Sequence, residues 1–462
     1  MNDSPQKAIT RGSRGASREP ETAADGEKLS GKGRDPPGAW PRAPPRHQNF
    51  CRSHLLSLDS RVNRMDPHLH QWISLLVRWL HIIAGIAWIG GSFYFNWLDG
   101  NLRKPERDID EAGLAGELWS VHGGGFYVVQ KYQVAPAQLP KTLHWIKWEA
   151  YTTWISGFLL LGLVYYMGGR AYLIDVQTSP VGFGAAVGIG LGSLAAGWLV
   201  YHLLADSPLV RVPAAFAGVG FLLFAASSYG LTQVFTNRAA FIHIGAIIGT
   251  IMAANVFFVI IPGQRKLVDA MIAGKEPDAS QGARAKQRSL HNNYMTLPVL
   301  FIMISNHYPH TFDHKWNWIL LCAISLIGAT TRHWFNLKNR GHRNKWILPA
   351  AALAMLALVI ATKPPAPAAG GQTVVFSEVW NVVSARCTTC HSAHPSDDIF
   401  KAAPNGVAFD TPEQVQAYAP QIRQRAVLTP SMPLGNKTKM TPQERELLGR
   451  WIDQGAPIDD AQ

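Results

Sequence analysis

The chain has 462 residues, with 43 Lys and Arg against 31 Asp and Glu, a formal net charge of +12 and four cysteines. So few cysteines exclude a disulfide-built scaffold, and a 47% hydrophobic content excludes a wholly disordered chain. The positive charge gathers in an N-terminal tract and in short loops between apolar stretches, so nucleic-acid binding is not implied.

Residues 1–64 are rich in Arg, Pro and Gly and read as a low-complexity tail that does not fold. The tract lacks the apolar centre and small-residue cleavage site of a secretory signal. Met65, directly before Asp66-Pro67-His68, reads as the start of the working protein. Residues 65–362 read as a polytopic membrane domain. Apolar stretches run at 70–95, 148–168, 182–204, 208–229, 239–262, 316–336 and 345–361, near the roughly 17 to 25 residues that a span needs. An eighth, 294–308, is shorter and carries Pro298. An even number of spans puts both ends of this domain on one side of the bilayer.

Ionisable residues inside spans are the default functional candidates, because burying them in lipid is costly. In the first span Arg78-Trp79-Leu80-His81 precedes Gly85, Trp88 and Gly90-Gly91. His81 falls near mid-span, with Arg78 one turn outward on the same face and Gly85 one turn inward beside the imidazole. That grouping suits a b-type haem ligand or a pocket for a flat polar ligand; the plainer reading is a histidine bonded to a neighbouring helix among packing glycines. His243 lies one turn inside the outer end of the fifth span, with Asn255 deeper. His202, His291 and His333 fall at inward ends and read as solvated. His307, His310 and His314 crowd one outward loop, which could line an entrance, dock another domain or simply be solvated.

Residues 363–372 form a Pro/Ala/Gly linker, stiff at first and flexible at its end. Residues 373–462 then read as a small c-type cytochrome domain. Cys387-Thr388-Thr389-Cys390-His391 is the C-x-x-C-H run that bonds one haem c through two thioethers and gives the iron an axial histidine. Met432, in Ser431-Met432-Pro433-Leu434, is expected as the sixth ligand, with Met440 as its rival. Helices are expected at Val375 to Arg386 and at Pro442 to Asp453, the second capped by Thr441 with Pro at N1, and Trp451 between them. A zinc or disulfide pair finds little support, since the remaining Cys51 and Cys322 lie in no similar cluster. The fold expected overall is all-α, an eight-helix transmembrane bundle followed by the cytochrome domain.

Haem c is attached outside the bacterial cytoplasmic membrane, so the C-terminal domain belongs in the periplasm of an inner-membrane protein. Charge agrees. With that end outside, the inward loops hold Arg103, Lys104, Arg107, Lys131, Lys141 and Lys147, then Arg265, Lys266, Lys275, Arg284, Lys286 and Arg288, then Arg332, Lys338, Arg340, Arg343 and Lys345. The outward loops carry little beyond Arg170, Arg238 and Lys315.

The run Leu76-Val77-Arg78-Trp79-Leu80-His81-Ile82-Ile83-Ala84-Gly85-Ile86-Ala87-Trp88-Ile89-Gly90-Gly91 resembles the opening of the bacterial membrane-bound urate hydroxylases. So do His291-Asn292-Asn293-Tyr294-Met295-Thr296-Leu297-Pro298, Ser305-Asn306-His307-Tyr308-Pro309, the C-x-x-C-H run and Met432-Pro433-Leu434-Gly435-Asn436. The likeness covers Met65 to Gln462. It implies oxidation of urate to 5-hydroxyisourate, with electrons passing through the haem to a downstream cytochrome c or terminal oxidase. The first span also looks like that of membrane-bound protoporphyrinogen oxidases, whose histidine there is linked to haem b, a likeness that carries over to His81 alone.

One haem takes one electron per cycle, so either a urate radical waits or a second centre, such as a haem b at His81 or His243, holds the other electron. Arg78 could pair with the urate anion, a histidine could take a proton, and Trp79 or Trp88 could stack on the purine. Two other classes fit the same spans: a membrane cytochrome oxidising quinol or another small reductant, and a purine permease fused to a redox-sensing cytochrome.

Overall fold

The computed structural model describes residues 66–105, 113–175, 178–363 and 372–458. The tail at 1–64, Met65 and all but the two end residues of the linker lie outside the described residues. In chain order the elements are α1 (Pro67–Asn101), β1 (Leu114–His122), β2 (Gly125–Tyr132), α2 (Trp148–Leu161), α3 (Arg170–Leu173), α4 (Phe183–Asp206), α5 (Pro213–Thr232), α6 (Asn237–Ala254) and α7 (Ile261–Ile272). There follow α8 (Ala279–Ser305), α9 (Pro309–Phe312), α10 (Asn317–Asn339), α11 (Ile347–Ala361), α12 (Phe376–Arg386), α13 (Pro412–Ala417), α14 (Ala419–Ile422) and α15 (Pro442–Asp453). A π turn, Gly162–Tyr166, ends α2, and a π segment, Asn255–Ile260, joins α6 to α7.

The chain is mostly helical. Among the described residues five helices are long and apolar enough to cross a membrane: α1, α4, α5, the continuous α6–α7 run and α10. α11 is apolar but shorter. α1 starts where Asp66 accepts a bond from Leu69 N–H with Pro67 at N1. Large apolar side chains face outward on α1 and α11, Ile86 at 69% and Ile360 at 66% exposure, as expected of surfaces that meet lipid rather than water. Inside, Phe241, Ile244, Met252, Ile302 and Leu321 form the buried centre between α6, α8 and α10.

Three expectations need correction. The fold is not all-α, because β1 and β2 pair antiparallel across a Gly123-Gly124 turn in the connection between α1 and α2. Both glycines have positive φ, 58° and 82°, which matches the turn geometry that suits the twist of a hairpin. Secondly, the loop between the fifth and sixth elements is largely helical: α7 and the N-terminal half of α8 pack together, so Arg265, Lys266, Arg284, Lys286 and Arg288 sit on helices, and α8 runs through Pro298. Thirdly, Gly85 does not border His81. A Cβ there would meet only Thr153 Cγ2 at 4.0 Å, whereas one on Gly157 of α2 would lie 2.9 Å from His81 Cε1.

The C-terminal residues form their own core of Phe376, Val379, Val383, Leu448 and Trp451 between α12 and α15. Trp451 is fully buried, 5.7 Å from Phe376 ring to ring, and donates its Nε1–H to Pro457 O. Thr441 and Glu444 form a capping box at the start of α15, and Glu444 also receives Arg386 at the end of α12. That pair fixes the end of the helix from which the C-x-x-C-H turn departs.

Candidate functional site

The turn begins at Cys387, which closes α12, and His391 N–H returns to Cys387 O at 2.8 Å. Both cysteines are free. Burial pushes each thiol up to about 12, reinforced at Cys387 by Cys390 and at Cys390 by Asp397, so both stay protonated at neutral pH. Among the described residues no three His, Cys, Asp or Glu side chains converge to hold a bare metal ion. His391 donates Nδ1–H to Val407 O at 3.0 Å and lies 5.2 Å from the Phe409 ring. Its Nε2 is left with a lone pair, the arrangement an axial histidine needs. Burial lowers the imidazole, with the bond to Val407 opposing.

The two candidate methionines differ. Met440 is 3% exposed within the core, its N–H bonded to Asn436 Oδ1. Met432 is only partly buried and, like Cys387, packs against the edge of that core; its carbonyl accepts from Arg445 Nη1 at 2.7 Å. Two unpaired thiols, a histidine with free Nε2 and a methionine at the core edge fit a covalently bound porphyrin. Lys437 holds the loop after the motif by pairing with Asp397 and Asp398. Burial alone would raise the Asp397 carboxyl, but Lys437 and the amides of Ile399 and Phe400 keep it below the usual range.

The loops that follow this turn meet the helical bundle at α3. A Cβ on Gly169 would overlap Ile399 Cδ1, and one on Gly435 would come within 2.8 Å of Ala171 O. Both glycines have positive φ as well, so side chains are excluded there by backbone and neighbour alike. Tyr172 lies 6.3 Å from Phe400, ring to ring. Burial raises its phenol, Arg238 and Arg78 pull it down, and Cys390 pushes it up. Tyr172 therefore stands between two bundle arginines and the loop that follows the C-x-x-C-H run.

Behind Tyr172 the bundle holds a polar cluster that the sequence only partly marked. His243 is fully buried, donates Nδ1–H to Ala239 O at 2.8 Å and accepts from Tyr166 Oη–H at Nε2, 2.9 Å away. Both ring nitrogens are used, so His243 does not fit a haem ligand; it serves Tyr166. Gly190 makes the pair feasible, since a Cβ there would lie 2.5 Å from Tyr166 Oη. Tyr165 and Arg238 both donate to Asn306 Oδ1. Arg78 is exposed on α1 and acts on Tyr165 and Tyr172 from the side. Trp79 is 62% exposed and turned away, so it does not stack on anything in this cluster. His81 donates Nδ1–H to Thr153 O at 3.0 Å, leaving Nε2 uncommitted.

The histidines read as solvated are mostly engaged. His291 accepts from Tyr201 Oη–H at 2.8 Å and stacks on Phe216, and Asn255 donates to the same Tyr201 oxygen. Asn255 opens the π segment, a local widening common at functional positions. Arg288 is fully buried over the Tyr201 ring and pairs with Asp206. His202 stacks on Trp198, and His333 bonds Tyr294 Oη.

α9, carrying His310, touches the Arg423–Val427 turn of the C-terminal residues, so the crowded histidine loop is part of a docking face. Asp313 closes α9. Burial pushes its carboxyl up to about 6, with Asn237, Arg238 and, from the C-terminal side, Arg445 opposing. A value raised above the ordinary carboxyl means that this group's contribution to stability is full below about pH 4 and is lost as pH rises through about 6. Asp313→Asn is expected to remove that part of the pH profile and to gain about 1–2 kcal/mol at neutral pH, discounted for partial exposure. Thermal unfolding in detergent across this range checks it; an unchanged profile would contradict the assignment.

A family model, urate oxidase N-terminal, matches residues 67–363. The chain belongs to the urate oxidase N-terminal family. No curated protein and no solved structure matches it. The match covers α1 to α11, placing the polar cluster, Arg78, His81 and His243 within the family's segment and among urate-related oxidoreductases. The C-x-x-C-H turn lies beyond it.

Proposed function

We propose that the chain is a membrane-bound urate hydroxylase that forms 5-hydroxyisourate and passes the electrons through a haem c bonded to Cys387 and Cys390. The membrane domain has eight spans with both ends outside, and residues 373–462 form a periplasmic cytochrome domain tethered to it by the linker. One observation carries the reading: the Tyr172 ring lies 6.3 Å from Phe400 and within reach of Arg78 and Arg238, joining the family's polar cluster to the loop that follows the C-x-x-C-H run.

Urate monoanion plus water gives 5-hydroxyisourate, one proton and two electrons. Cys387, Cys390, His391 and Met432 would hold the haem, which when bound would supply a one-electron acceptor. Arg78 and Arg238 provide the positive field that draws in and orients the anion. Tyr166, bonded to His243, moves the proton: the phenol can pass its proton to Nε2 when it takes one from the substrate side. His81, with Nδ1–H fixed and Nε2 free, is the side chain suited to a second, b-type haem that would hold the second electron. A downstream cytochrome c or terminal oxidase receives the charge.

Anaerobic mixing of the purified protein with urate is expected to reduce the haem, with 5-hydroxyisourate appearing in proportion, while quinol leaves the spectrum unchanged. Reduction by quinol but not urate would make it a quinol-oxidising cytochrome. Urate moved across vesicles unaltered would make it a permease.

A further inference from the structure

A second polar centre, apart from the Tyr166–His243 cluster, lies between α1, α8 and α10. Arg332 is 5% exposed and its guanidinium carbon stands 4.1 Å from the centroid of the Phe93 ring. Its Nε–H donates to Asn293 Oδ1 at 2.8 Å. Asn336 lies one turn further along α10, on the face that Arg332 occupies. Arg332 Nη2, Asn293 Nδ2 and Asn336 Nδ2 are all buried without a partner, although their residues are at most 6% exposed. Among the described residues no carboxylate pairs with Arg332.

Arg288 is the internal comparison. Equally buried and also over an aromatic ring, it has Asp206 as counter-ion. Arg332 has instead the neutral Asn293 Oδ1 as its hydrogen-bond acceptor, bonded to Nε. A buried cation without a counter-ion, flanked by two orphaned amide donors, is unfavourable unless something else supplies negative charge and lone pairs.

We infer that Arg332, Asn293 and Asn336 form a binding site for a compact oxyanion, near the end of the bundle where α1 and α10 finish. Gly100 and Asn339 touch at that end, with room for no side chain between them, so α1 and α10 are held together within one turn of Asn336. The ligand accepts hydrogen bonds and donates none to this trio. A carboxylate, a phosphate or the oxyanion edge of a purine meets that requirement. The inference is independent of the redox reading and of the membrane topology.

The test is thermal unfolding of the full-length protein in detergent micelles, titrated with acetate, inorganic phosphate or urate against equal chloride. The unmodified protein is expected to show a saturable rise in Tm with at least one of these anions and none with chloride. Whichever anion acts identifies the source chemistry. Arg332→Gln is expected to lose the rise while its anion-free Tm stays level or increases, because an uncompensated charge has gone. Asn336→Ala is expected to weaken the response about tenfold, and Arg343→Gln, in the exposed loop after α10, to leave it unchanged. The inference fails if no oxyanion raises Tm, if Arg332→Gln keeps the response, or if anion-free Arg332→Gln melts below the unmodified protein.

Discussion

His391→Ala is expected to abolish the haem c signal and bring urate-driven electron transfer down to background. The imidazole sits in the turn that closes α12, its Nδ1–H anchored by the backbone carbonyl of Val407 and its face against Phe409. No other side chain can inherit that position, because the anchor is main chain and the surrounding turn is fixed by Arg386–Glu444 and Lys437–Asp397. Loss of an axial ligand removes iron from a low-spin environment even where the thioethers form. A haem-stained gel and the pyridine haemochrome spectrum of protein matured in a competent host read the result. Full haem content with unchanged turnover would sink the assignment of residues 373–462.

Tyr166→Phe is expected to lower kcat about a hundredfold with KM nearly unchanged, the size of effect typical when a positioned proton-transfer group is lost. The hydroxyl is the single polar group bonded to His243 Nε2, and His243 is otherwise enclosed by Phe235 at 4.4 Å, Tyr165 and the Gly190 backbone. Removing the oxygen also strands a buried imidazole nitrogen, for which a loss of about 1–3 kcal/mol in stability is expected. Steady-state rates set beside thermal unfolding separate the two effects. A stability loss with unaltered kcat would reduce the Tyr166–His243 pair to a packing role.

Local chemistry was legible in the sequence wherever it lies within a few consecutive residues. Cys387, Cys390 and His391 are such a case, as are the Thr441-Pro442 start of α15, the Asp66-Pro67 start of α1 and the apolar lengths that became long helices, since covalent spacing, capping and hydropathy act through near neighbours. The β1–β2 hairpin is also local, since Gly123-Gly124 lies between β-prone residues.

Partnership across helices was decided only by the tertiary structure. His81 and His243 look alike in sequence, yet one keeps a free Nε2 and the other has both nitrogens occupied. Arg288 and Arg332 look like loop charges, yet both are buried, one with a carboxylate and the other, among the described residues, without. Tyr165, Tyr166 and Tyr172 carried no signal until α2, α4, α6 and the C-terminal turn were brought together. The physical reason is that a side chain's proton state and ligand capacity depend on what closes around it. In a helical bundle those neighbours come from segments many tens of residues away.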